Sequence, residues 1–306
     1  MANRELEYVC CLAEHRSITQ AAKALGLTQP ALSIFLRNLE TRLNIKLFEH
    51  VGKTLVLTYA GERYVHYARE MMLMDRAMAE ELSELRAEDN GQLSLTCMLP
   101  RSTYIVPQTI PAFKRMYSNV SIQLYEELSY ETLEKNILEG RAFLGIGNFQ
   151  STSPSITSVP LAEEEMLLAL SADHPLARKL GVRPGDPPRM VDLDELEDTP
   201  LIVPRDTRTA EAQHTVFNKQ KHRHPVFLET KNIENSLRLC AEGFGVTFLC
   251  STHIHFPYLP ENLVFLSTNE PDARFMLYLL HRTNAYIPSY IQSYITLLQQ
   301  YAEGKL

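Results

Sequence analysis

Between residues 28 and 44 the chain alternates apolar and polar positions with the period of an α-helix. The apolar residues follow at spacings of four, three and four, at Leu32, Leu36, Leu39 and Leu43. This spacing predicts that the four leucines form one apolar stripe along the helix, and that this stripe is buried. Polar residues recur every four positions on another side, at Gln29, Ser33 and Arg37. The pattern indicates a helix that buries one face and presents the other to a partner.

The flanking residues predict where this helix and its neighbours begin and end. Ser17 and Gln20 have the spacing of a capping box, and Gly26 can take the left-handed conformation that ends a helix. Thr28 is a second N-cap, followed by Pro30 in the first turn, where its missing amide costs little. An amphipathic helix precedes them, with apolar positions at Leu6, Val9, Cys10 and Ala13. The alternating run KTLVLT, 53–58, predicts a hairpin, and the whole is a winged helix-turn-helix whose second helix enters the DNA major groove.

Residues 59–88 are predicted to form one long helix that pairs with a second copy of the chain. Spacings of four and three alternate along an apolar seam, with one stutter at Met78. Its predicted positions are Tyr64, Tyr67, Met71, Met74, Met78 and Leu82. A helix packed only on its own domain is the alternative interpretation. The charged segment that follows ends at Gly91, a natural helix stop and hinge.

After Gly91 short apolar runs alternate with helical patterns. QLSLTCM, VSIQLYEEL and AFLGIG are predicted strands, and YETLEKNILEG is a predicted helix between two of them. This rhythm predicts βαβ units, a largely parallel sheet and therefore an α/β domain. Similar cycles run through PLIVPR, PVFLET and VTFLC to a final helix near the C-terminus. Residues 181–196, GVRPGDPPRMVDLDEL, are predicted to be an exposed loop.

Length and composition limit the class of protein. The 306 residues suggest two or three domains. No run of about 18 apolar residues and no secretory signal occurs, so we expect a cytoplasmic protein without a membrane partner. Its five cysteines show no CxxC spacing, which predicts reduced thiols. Residues 1–87 carry 11 Lys+Arg and 11 Asp+Glu, so the net charge of −7 falls on the remainder. A less acidic end on an acidic body suits a protein of which only one end approaches phosphates.

The chemistry of the polar helix face favours DNA. Gln29 can bridge an adenine edge, Arg37 can pair with phosphate or guanine, and Ser33 is short enough to permit close approach. Ile34 carries no polar group, so at a base edge it could contact only a thymine methyl. The predicted DNA-binding residues are Thr28, Gln29, Pro30, Ser33, Ile34, Arg37, His50 and Lys53. For each residue taken alone, an ordinary solvated position is the alternative.

The segment TQPALSIFLRNLETRLNIKLFEH resembles the DNA-binding segment of the LysR-type transcriptional regulators, and the similarity continues through LTYAGERYVHYA. The residues that match the family pattern are Ala21, Ala22, Leu25, Thr28, Gln29, Ser33, Leu39, Glu40, Leu47, Phe48, Thr58, Gly61 and Glu62. Asn44 stands where the family usually has Gly, and His50 where it usually has Arg. Ile34 replaces a commonly polar residue. Asn tolerates the left-handed conformation, whereas His50 removes a permanent charge from the wing.

The resemblance extends through ADHPLA, 172–177, and EGFGVTFL, 242–249, and implies the whole organisation. It implies a winged helix-turn-helix domain at 1–58, a linker and dimerisation helix at 59–88, and an effector-binding domain at 91–306. The effector domain is expected to be periplasmic-binding-protein-like, with lobe I at 91–161 and 267–306 and lobe II at 162–266. Implied partners are a two-fold operator in double-stranded DNA, a second copy in a homodimer or homotetramer, and a small-molecule effector. RNA polymerase is a further candidate partner.

By position in the resemblance, the effector lies in the cleft between the lobes, where ligands of open α/β folds bind. The candidates are Pro100, Arg101, Ser102, Thr103, Ser129, Tyr130, Gly147, Asn148, Pro204, Arg205, Thr207, Phe244, Gly245 and Thr247. Ser102 and Thr103 are expected to open a helix whose amides favour an anion. Arg101 and Arg205 could clamp a carboxylate. The predicted effector is therefore a small organic acid, and no other cofactor is expected.

Other signals point weakly to different chemistry. His222 with His224, and His253 with His255, have spacings that could hold a metal, but no Cys or Asp cluster accompanies them. GIGNF, 145–149, lacks a full dinucleotide-binding run. Thiol sensing through Cys240 or Cys250 is a minor alternative. An enzyme with its cleft between the lobes lacks a nucleophile and base, and a plain solute receptor leaves the opening segment unexplained.

Overall fold

The computed structural model describes residues 2–52, 54–85, 91–196, 198–205, 208–219, 224–254, 259–268 and 270–304. It divides into two compact units, Met1–Gly91 with Asn284–Pro288, and Gln92–Thr283 with Ser289–Leu306. Lys53, Thr207, His222 and His255, which the sequence singled out, lie outside the described residues. Of Pro100 and Pro204 only the backbone is described.

The first unit is a winged helix-turn-helix followed by a long helix. Its helices are α1 Ala2–His15, α2 Ile18–Ala24, α3 Gln29–Leu43 and α4 Tyr59–Leu85, and its hairpin is β1 Phe48–Val51 with β2 Thr54–Leu57. Ser17 and Thr28 cap α2 and α3 as their sequence positions predict. Asn44 ends α3 with φ 50° and ψ 35°, the left-handed conformation that Asn adopts more easily than most residues.

The core of this unit confirms most of the apolar stripe on α3. Leu32 and Leu39 are almost completely buried, and Leu36 nearly so. Leu43 was predicted to belong to the same stripe, but its side chain is 39% exposed. It is the last residue of α3, where the chain turns away at Asn44 and no further described element covers it.

Glu40 ties the end of α3 to the wing. Its buried carboxylate accepts hydrogen bonds from the Leu47 and Phe48 amides at 2.9 and 3.1 Å and from Lys46 Nζ at 2.6 Å. Burial alone would raise the pKa of Glu40, but these hydrogen bonds outweigh burial and lower it. The carboxylate therefore fixes the angle between the recognition helix and the hairpin.

The second unit is a two-lobed α/β domain, as predicted. Its helices are α5 Leu99–Met116, α6 Tyr130–Leu138, α7 Pro175–Leu180, α8 Arg208–Asn218, α9 Ile233–Ala241 and α10 Ser289–Ala302. Its strands are β3 Gln92–Met98, β4 Ser121–Glu127, β5 Leu144–Gly147, β6 Ile156–Ser171, β7 Arg189–Met190, β8 Leu201–Pro204, β9 Val226–Thr230, β10 Thr247–Cys250, β11 Leu263–Ser267 and β12 Arg274–Arg282.

The sheet is mixed rather than largely parallel. Strands β3, β4 and β5 pair in parallel, as do β8 and β9. By contrast β12 runs antiparallel to β5 and β6, and β10 and β11 run antiparallel to β6. The prediction was wrong there because β6 follows β5, and β11 and β12 follow β10, without an α-helix between them among the described residues, so these strands are not joined by βαβ crossovers.

One strand, β6, belongs to both lobes. Residues 156–165 pair with β12 in the first lobe, and residues 166–171 pair with β10 and β11 in the second. The lobe junction therefore lies along β6 near Glu164, and the 3₁₀ turn Ser251–His253 after β10 packs against the same strand.

Residues 181–196 are the predicted exposed loop only in part, at residues 183–187. Arg189 and Met190 form β7 and pair with β11. Four apolar side chains of this segment are buried in the second-lobe core, at Val182, Val191, Leu193 and Leu196. The Gly and Pro residues set the turns, but the apolar residues between them anchor the segment.

Candidate DNA-binding and effector-binding sites

The outward face of α3 is the candidate DNA-reading surface. Gln29, Pro30 and Arg37 are exposed, and Ile34 is 55% exposed. Ser33 is half-buried, and its Oγ accepts a hydrogen bond of 2.9 Å from Gln29 Nε2. The opposite face of α3 is the buried leucine stripe. The helix therefore presents a short polar row beside an exposed apolar side chain.

The candidate basic residues near the wing differ in whether they are exposed or held in an ion pair. His50 is exposed in β1, opposite Leu55 of β2. Arg42 is paired with Glu5, at 2.5 Å between Nη2 and Oε1, and Tyr64 Oη donates to the same carboxylate oxygen at 2.9 Å. Hydrogen bonding to Arg42 is the main reason that the pKa of Glu5 is lowered. Arg37, rather than Arg42, is the guanidinium on the reading face.

The predicted seam of α4 divides into two parts. Tyr64 is half-buried and packs against the winged-domain core. The later positions are 48–77% exposed, at Tyr67, Met71, Met74, Met78 and Leu82. The first of them holds a local contact, because the guanidinium carbon of Arg63 lies 5.1 Å from the centre of the Tyr67 ring. The described part of the chain thus leaves a continuous apolar stripe on α4 facing outward.

The guanidinium of Arg101 is buried in an ion pair, whereas a clamp for an effector carboxylate requires it to be accessible. It is 5% exposed, and its two terminal nitrogens lie 2.7 Å from the two carboxylate oxygens of Glu164, which is fully buried. Thr252 donates to Glu164 Oε1 at 2.5 Å. In this arrangement of the lobes the fork of Arg101 already holds an internal carboxylate, so an effector carboxylate would have to displace Glu164, and the clamp stays a prediction.

The helix that Ser102 and Thr103 were predicted to open begins earlier, at Leu99. Both residues therefore lie within its first turns, and their hydroxyl oxygens are 2.9 and 3.4 Å from the Leu99 carbonyl oxygen. Ser102 is buried, and its hydroxyl also contacts a carboxylate oxygen of Glu126. The N-cap residue of α5, Met98, supplies no side-chain hydrogen bond. The first-turn amides are thus uncapped by a side chain, but a carboxylate stands near them.

The remaining first-lobe candidates lie at the ends of β4 and β5. Ser129 caps α6 by accepting from the Thr132 amide at 3.2 Å. Tyr130 Oη donates to Asn148 Oδ1 at 2.7 Å, and Gly147 leaves no room for a side chain because an added Cβ would meet Phe149 at 2.8 Å. The structure brings Tyr130 and Asn148 into direct contact.

Second-lobe candidates are scattered between surface and core. Arg205 is 61% exposed and lies 3.6 Å from Glu229. Phe244 is 51% exposed and stacks on Phe227 with 5.5 Å between ring centres. Gly245 is required by close packing, since an added Cβ would meet the Pro200 carbonyl oxygen at 2.6 Å. Thr247 is fully buried, and its hydroxyl has no hydrogen-bond partner among the described residues.

A polar network joins the lobes, and of its members the sequence interpretation named Arg101 and His253 for other roles and missed the rest. Tyr104 of α5 donates to Glu234 of α9 at 2.6 Å, and its ring stacks on His253 at 4.1 Å. Tyr301 donates to the Thr252 carbonyl oxygen at 3.2 Å. With Arg101 and Glu164, these residues form what we call the junction network. Glu164 stands two residues before the apolar run MLLAL, 166–170, and this position is the sequence signal that could have indicated its burial.

The three cysteines of the effector domain are poor thiolate nucleophiles. Cys97, Cys240 and Cys250 are buried, and burial raises the pKa of each to about 12. Cys10 and Cys11 are half-buried in the first unit. No cluster of three or more His, Cys, Asp or Glu that could hold a metal occurs among the described residues.

A cleft of about 600 Å³ opens elsewhere in the second lobe, between the β6–α7 turn, the end of α9 and residues 260–262. None of the predicted effector residues lines it. Its walls include Asp173, Glu242 and Glu261. It is separate from the junction network. No helix in the described part of the chain is long and apolar enough to cross a membrane.

Two family models match the chain and together cover nearly all of it. Residues 3–62 match the bacterial regulatory helix-turn-helix protein model of the lysR family, and residues 86–303 match the LysR substrate binding domain. An uncharacterized HTH-type transcriptional regulator of Escherichia coli K12, YbhD, is 28% identical over 94% of this chain and 87% of its own. The dual regulator OxyR of the same strain is 26% identical over 91% of this chain and 88% of its own.

Solved structures share the fold. A full-length OxyR variant from Pseudomonas aeruginosa has a TM-score of 0.72 at 20% identity, over 99% of this chain and 95% of its own. Full-length CbnR complexed with its target DNA has a TM-score of 0.54 at 19% identity, over 99% of this chain and all of its own.

Proposed function

Because this chain belongs to the LysR family of DNA-binding transcriptional regulators, which are not enzymes, we propose that it reads a two-fold operator through α3. The exposed face formed by Gln29, Ser33, Ile34 and Arg37, opposite a buried stripe, is the observation that carries the proposal. Thr28 and Pro30 fix the start of the helix, and His50 and Lys53 of the wing are assigned to the flanking backbone. Because such a regulator acts where the DNA is, the proposed location of the protein is the cytoplasm.

The outward stripe of α4 supports pairing of two chains, as a homodimer or within a homotetramer. Apolar side chains spaced by four and three along a long helix are typical of a helix–helix seam. Two α3 helices in such a pair would meet half-sites about one turn of DNA apart. RNA polymerase is a further proposed partner of a regulator bound to its operator.

We assign the effector to the lobe junction and keep the organic acid as its proposed class. The uncapped first turn of α5 favours an anion, and Arg205, which is exposed and lies 3.6 Å from Glu229, is the second guanidinium of the proposed clamp. Tyr130 and Asn148, in contact with each other at the ends of β4 and β5, offer a neutral polar pair. Glu126 opposes an anion at this place. An effector acts only by binding two lobe arrangements with different affinity, typically by about 1–3 kcal/mol.

Peroxide sensing, which the names of several relatives suggest, finds no support in this chain. A peroxide-reactive thiol needs thiolate character and access. The three effector-domain cysteines are buried and have raised pKa values. A metabolite bound between the lobes fits the described residues better.

The test of DNA reading is selection of bound sequences from a random duplex pool at about physiological salt. A few phosphate contacts alone bind weakly there, so enrichment of a two-fold motif is the expected result. Gln29→Ala should abolish the enrichment, whereas Gln92→Ala, at an exposed position of β3, should not. Binding without any enriched motif would contradict the proposal.

The effector class is tested by thermal unfolding of the full chain with panels of small carboxylates and small amines. Stabilisation by carboxylates alone is expected. Glu126→Gln should increase it because a like charge is removed, and Glu131→Gln, at an exposed position of α6, should leave it unchanged. If amines stabilise the protein instead, and Glu126→Gln weakens that stabilisation, the effector is a cation rather than an organic acid.

A further inference from the structure

The first turns of α3 carry two parallel rows of side chains with different chemistry. Gln29 and Ser33 are four residues apart and joined by a hydrogen bond. Pro30 and Ile34 are also four residues apart, so they lie next to each other on the neighbouring strip of the helix. Both rows reach the exposed face. A polar row, Gln29 and Ser33, and an apolar row, Pro30 and Ile34, therefore lie side by side on α3.

The hydrogen bond to Ser33 limits what the Gln29 amide can do next. A glutamine amide has two N–H groups and one carbonyl oxygen. One N–H is donated to Ser33 Oγ at 2.9 Å, and the amide makes no other hydrogen bond to a described residue. One N–H and the carbonyl oxygen are left, on the two arms of a planar group. Bidentate contact with adenine requires this pair, a donor to N7 and an acceptor from N6–H.

Ile34 supplies the second reading. Its side chain is 55% exposed although it is fully apolar. In the major groove the apolar feature of a base edge is the thymine C5-methyl. Ile34 is five residues beyond Gln29, or about 7.5 Å along the helix axis. That distance is roughly two base-pair steps of 3.4 Å.

We propose that each half-site contains an adenine read by Gln29 and, one to three base pairs away, a thymine whose methyl contacts Ile34, with Ser33 as the positioning residue that holds the Gln29 amide. This rests on the proposed reading of DNA by α3 and names the base chemistry of that reading. Ser33 acts through its hydrogen bond to Gln29 and contacts no base itself. Ile34 discriminates by a methyl group alone.

The experiment measures the affinity of the full-length protein for the duplex that the selection enriches, at one fixed salt concentration. Each thymine of a half-site is replaced in turn by deoxyuridine, which removes only the methyl. At one position we expect the wild type to lose affinity about fourfold, the value of one buried CH₂-sized group. Ile34→Ala should bind the unmodified duplex more weakly and be insensitive to that replacement. Ile45→Ala is the matched control, because Ile45 is 50% exposed and lies beyond the end of α3.

The role of Ser33 is measured with 7-deazaadenine, which removes the N7 acceptor. The wild type should lose about five- to tenfold at the adenine that Gln29 reads, the range of a hydrogen bond. Ser33→Ala should reduce this ratio, and Ser33→Thr, which keeps the hydroxyl, should restore it. A purely structural role would lower affinity for both duplexes equally and leave the ratio intact.

The outcomes separate this inference from the function on which it rests. Failure to enrich any motif overturns both. An enriched motif that is insensitive to every thymine replacement, or an Ile34→Ala protein as sensitive as the wild type, overturns the reading by Ile34 alone. A ratio unchanged in Ser33→Ala overturns the positioning role while the DNA-reading proposal stands.

Discussion

Arg101 and Glu164 show at the scale of single residues how the lobe junction is held. Two 2.7 Å hydrogen bonds join a 5% exposed guanidinium to a fully buried carboxylate. Removing one partner of such a pair usually costs about 3–5 kcal/mol because the other charge stays buried. The pair therefore fixes where α5 meets β6, and an anionic ligand at this place would have to compete with Glu164 for the same guanidinium.

His253 makes the stability of the effector domain depend on pH. It is buried against Tyr104, and its Nε2 has no hydrogen-bond partner among the described residues. Burial, with the nearby positive charge of Arg101, lowers its pKa well below 6.5. Below about pH 6.5 this histidine binds a proton in the unfolded chain but not in the folded chain. Its contribution to the free energy of unfolding is therefore fully present above that pH and is lost as the pH falls below it.

Denaturant unfolding at pH 7.5 and 5.5 measures this dependence. The wild type should lose about 1 kcal/mol on acidification from this histidine. His253→Phe keeps a ring against Tyr104 and should lose correspondingly less. His174, whose pKa burial also lowers, contributes equally to both proteins. An identical pH dependence in the two proteins would show that His253 titrates normally.

At the scale of elements, the start of α4 is fitted onto the wing. Thr58 Oγ1 donates to the Lys46 carbonyl oxygen at 2.7 Å and accepts from the Gly61 amide at 3.0 Å. A Cβ on Gly61 would lie 1.9 Å from the Leu47 carbonyl oxygen, which is backbone and cannot move aside cheaply. Close backbone approach is thus the reason for a glycine here, since its φ is not in the left-handed region.

Gly61→Ala is expected to destabilise the N-terminal unit by roughly 1–3 kcal/mol, the usual cost of overpacking. Thermal unfolding of the full chain should show an earlier transition, with loss of DNA binding at the same temperature. Glu62→Ala changes the adjacent, exposed residue of the same turn and should have a much smaller effect. Equal unfolding of Gly61→Ala and wild type would mean that the wing can shift without cost.

At the scale of the whole molecule, the long stripe on α4 bears on the state of assembly. Five of the six predicted positions are 48–77% exposed, and a single chain leaves them against water. Exposed apolar patches of this kind mark interaction sites. The two halves of the chain also differ in charge, since residues 1–87 are neutral and the remainder carries the net −7. Pairing through α4 would join two DNA-binding units, and these belong to the less acidic part of the chain.

Met78→Lys places a charge in this stripe and is expected to dissociate the pair. Sedimentation at micromolar concentration should show the mass of one chain. Affinity for a two-fold operator should fall by about 100-fold or more because the second half-site is no longer bound intramolecularly. Ala79→Lys adds the same charge at the next exposed position, off the stripe, and should remain paired. A paired Met78→Lys protein would refute the seam.

The sequence by itself determined the features that depend on neighbours within about four residues. Caps at Ser17 and Thr28, the left-handed Asn44, and the period of the α3 stripe are local interactions, so their residue types and spacing carry the information. The fold class followed from these together with the order of elements, and the family followed from the resemblance of TQPALSIFLRNLETRLNIKLFEH to its DNA-binding segment. The exposed face of α3 was likewise readable, because burying one side of a helix exposes the other.

The tertiary structure decided what depends on residues far apart in the chain. Arg101 meets Glu164 across 63 positions and Tyr104 meets Glu234 across 130, so no local pattern could show that the predicted carboxylate clamp is already filled. The antiparallel pairing of β10, β11 and β12 and the burial of four apolar side chains within residues 181–196 have the same origin. A short-range pattern fixes what a segment can bury, but only the packing of all segments fixes which charge meets which.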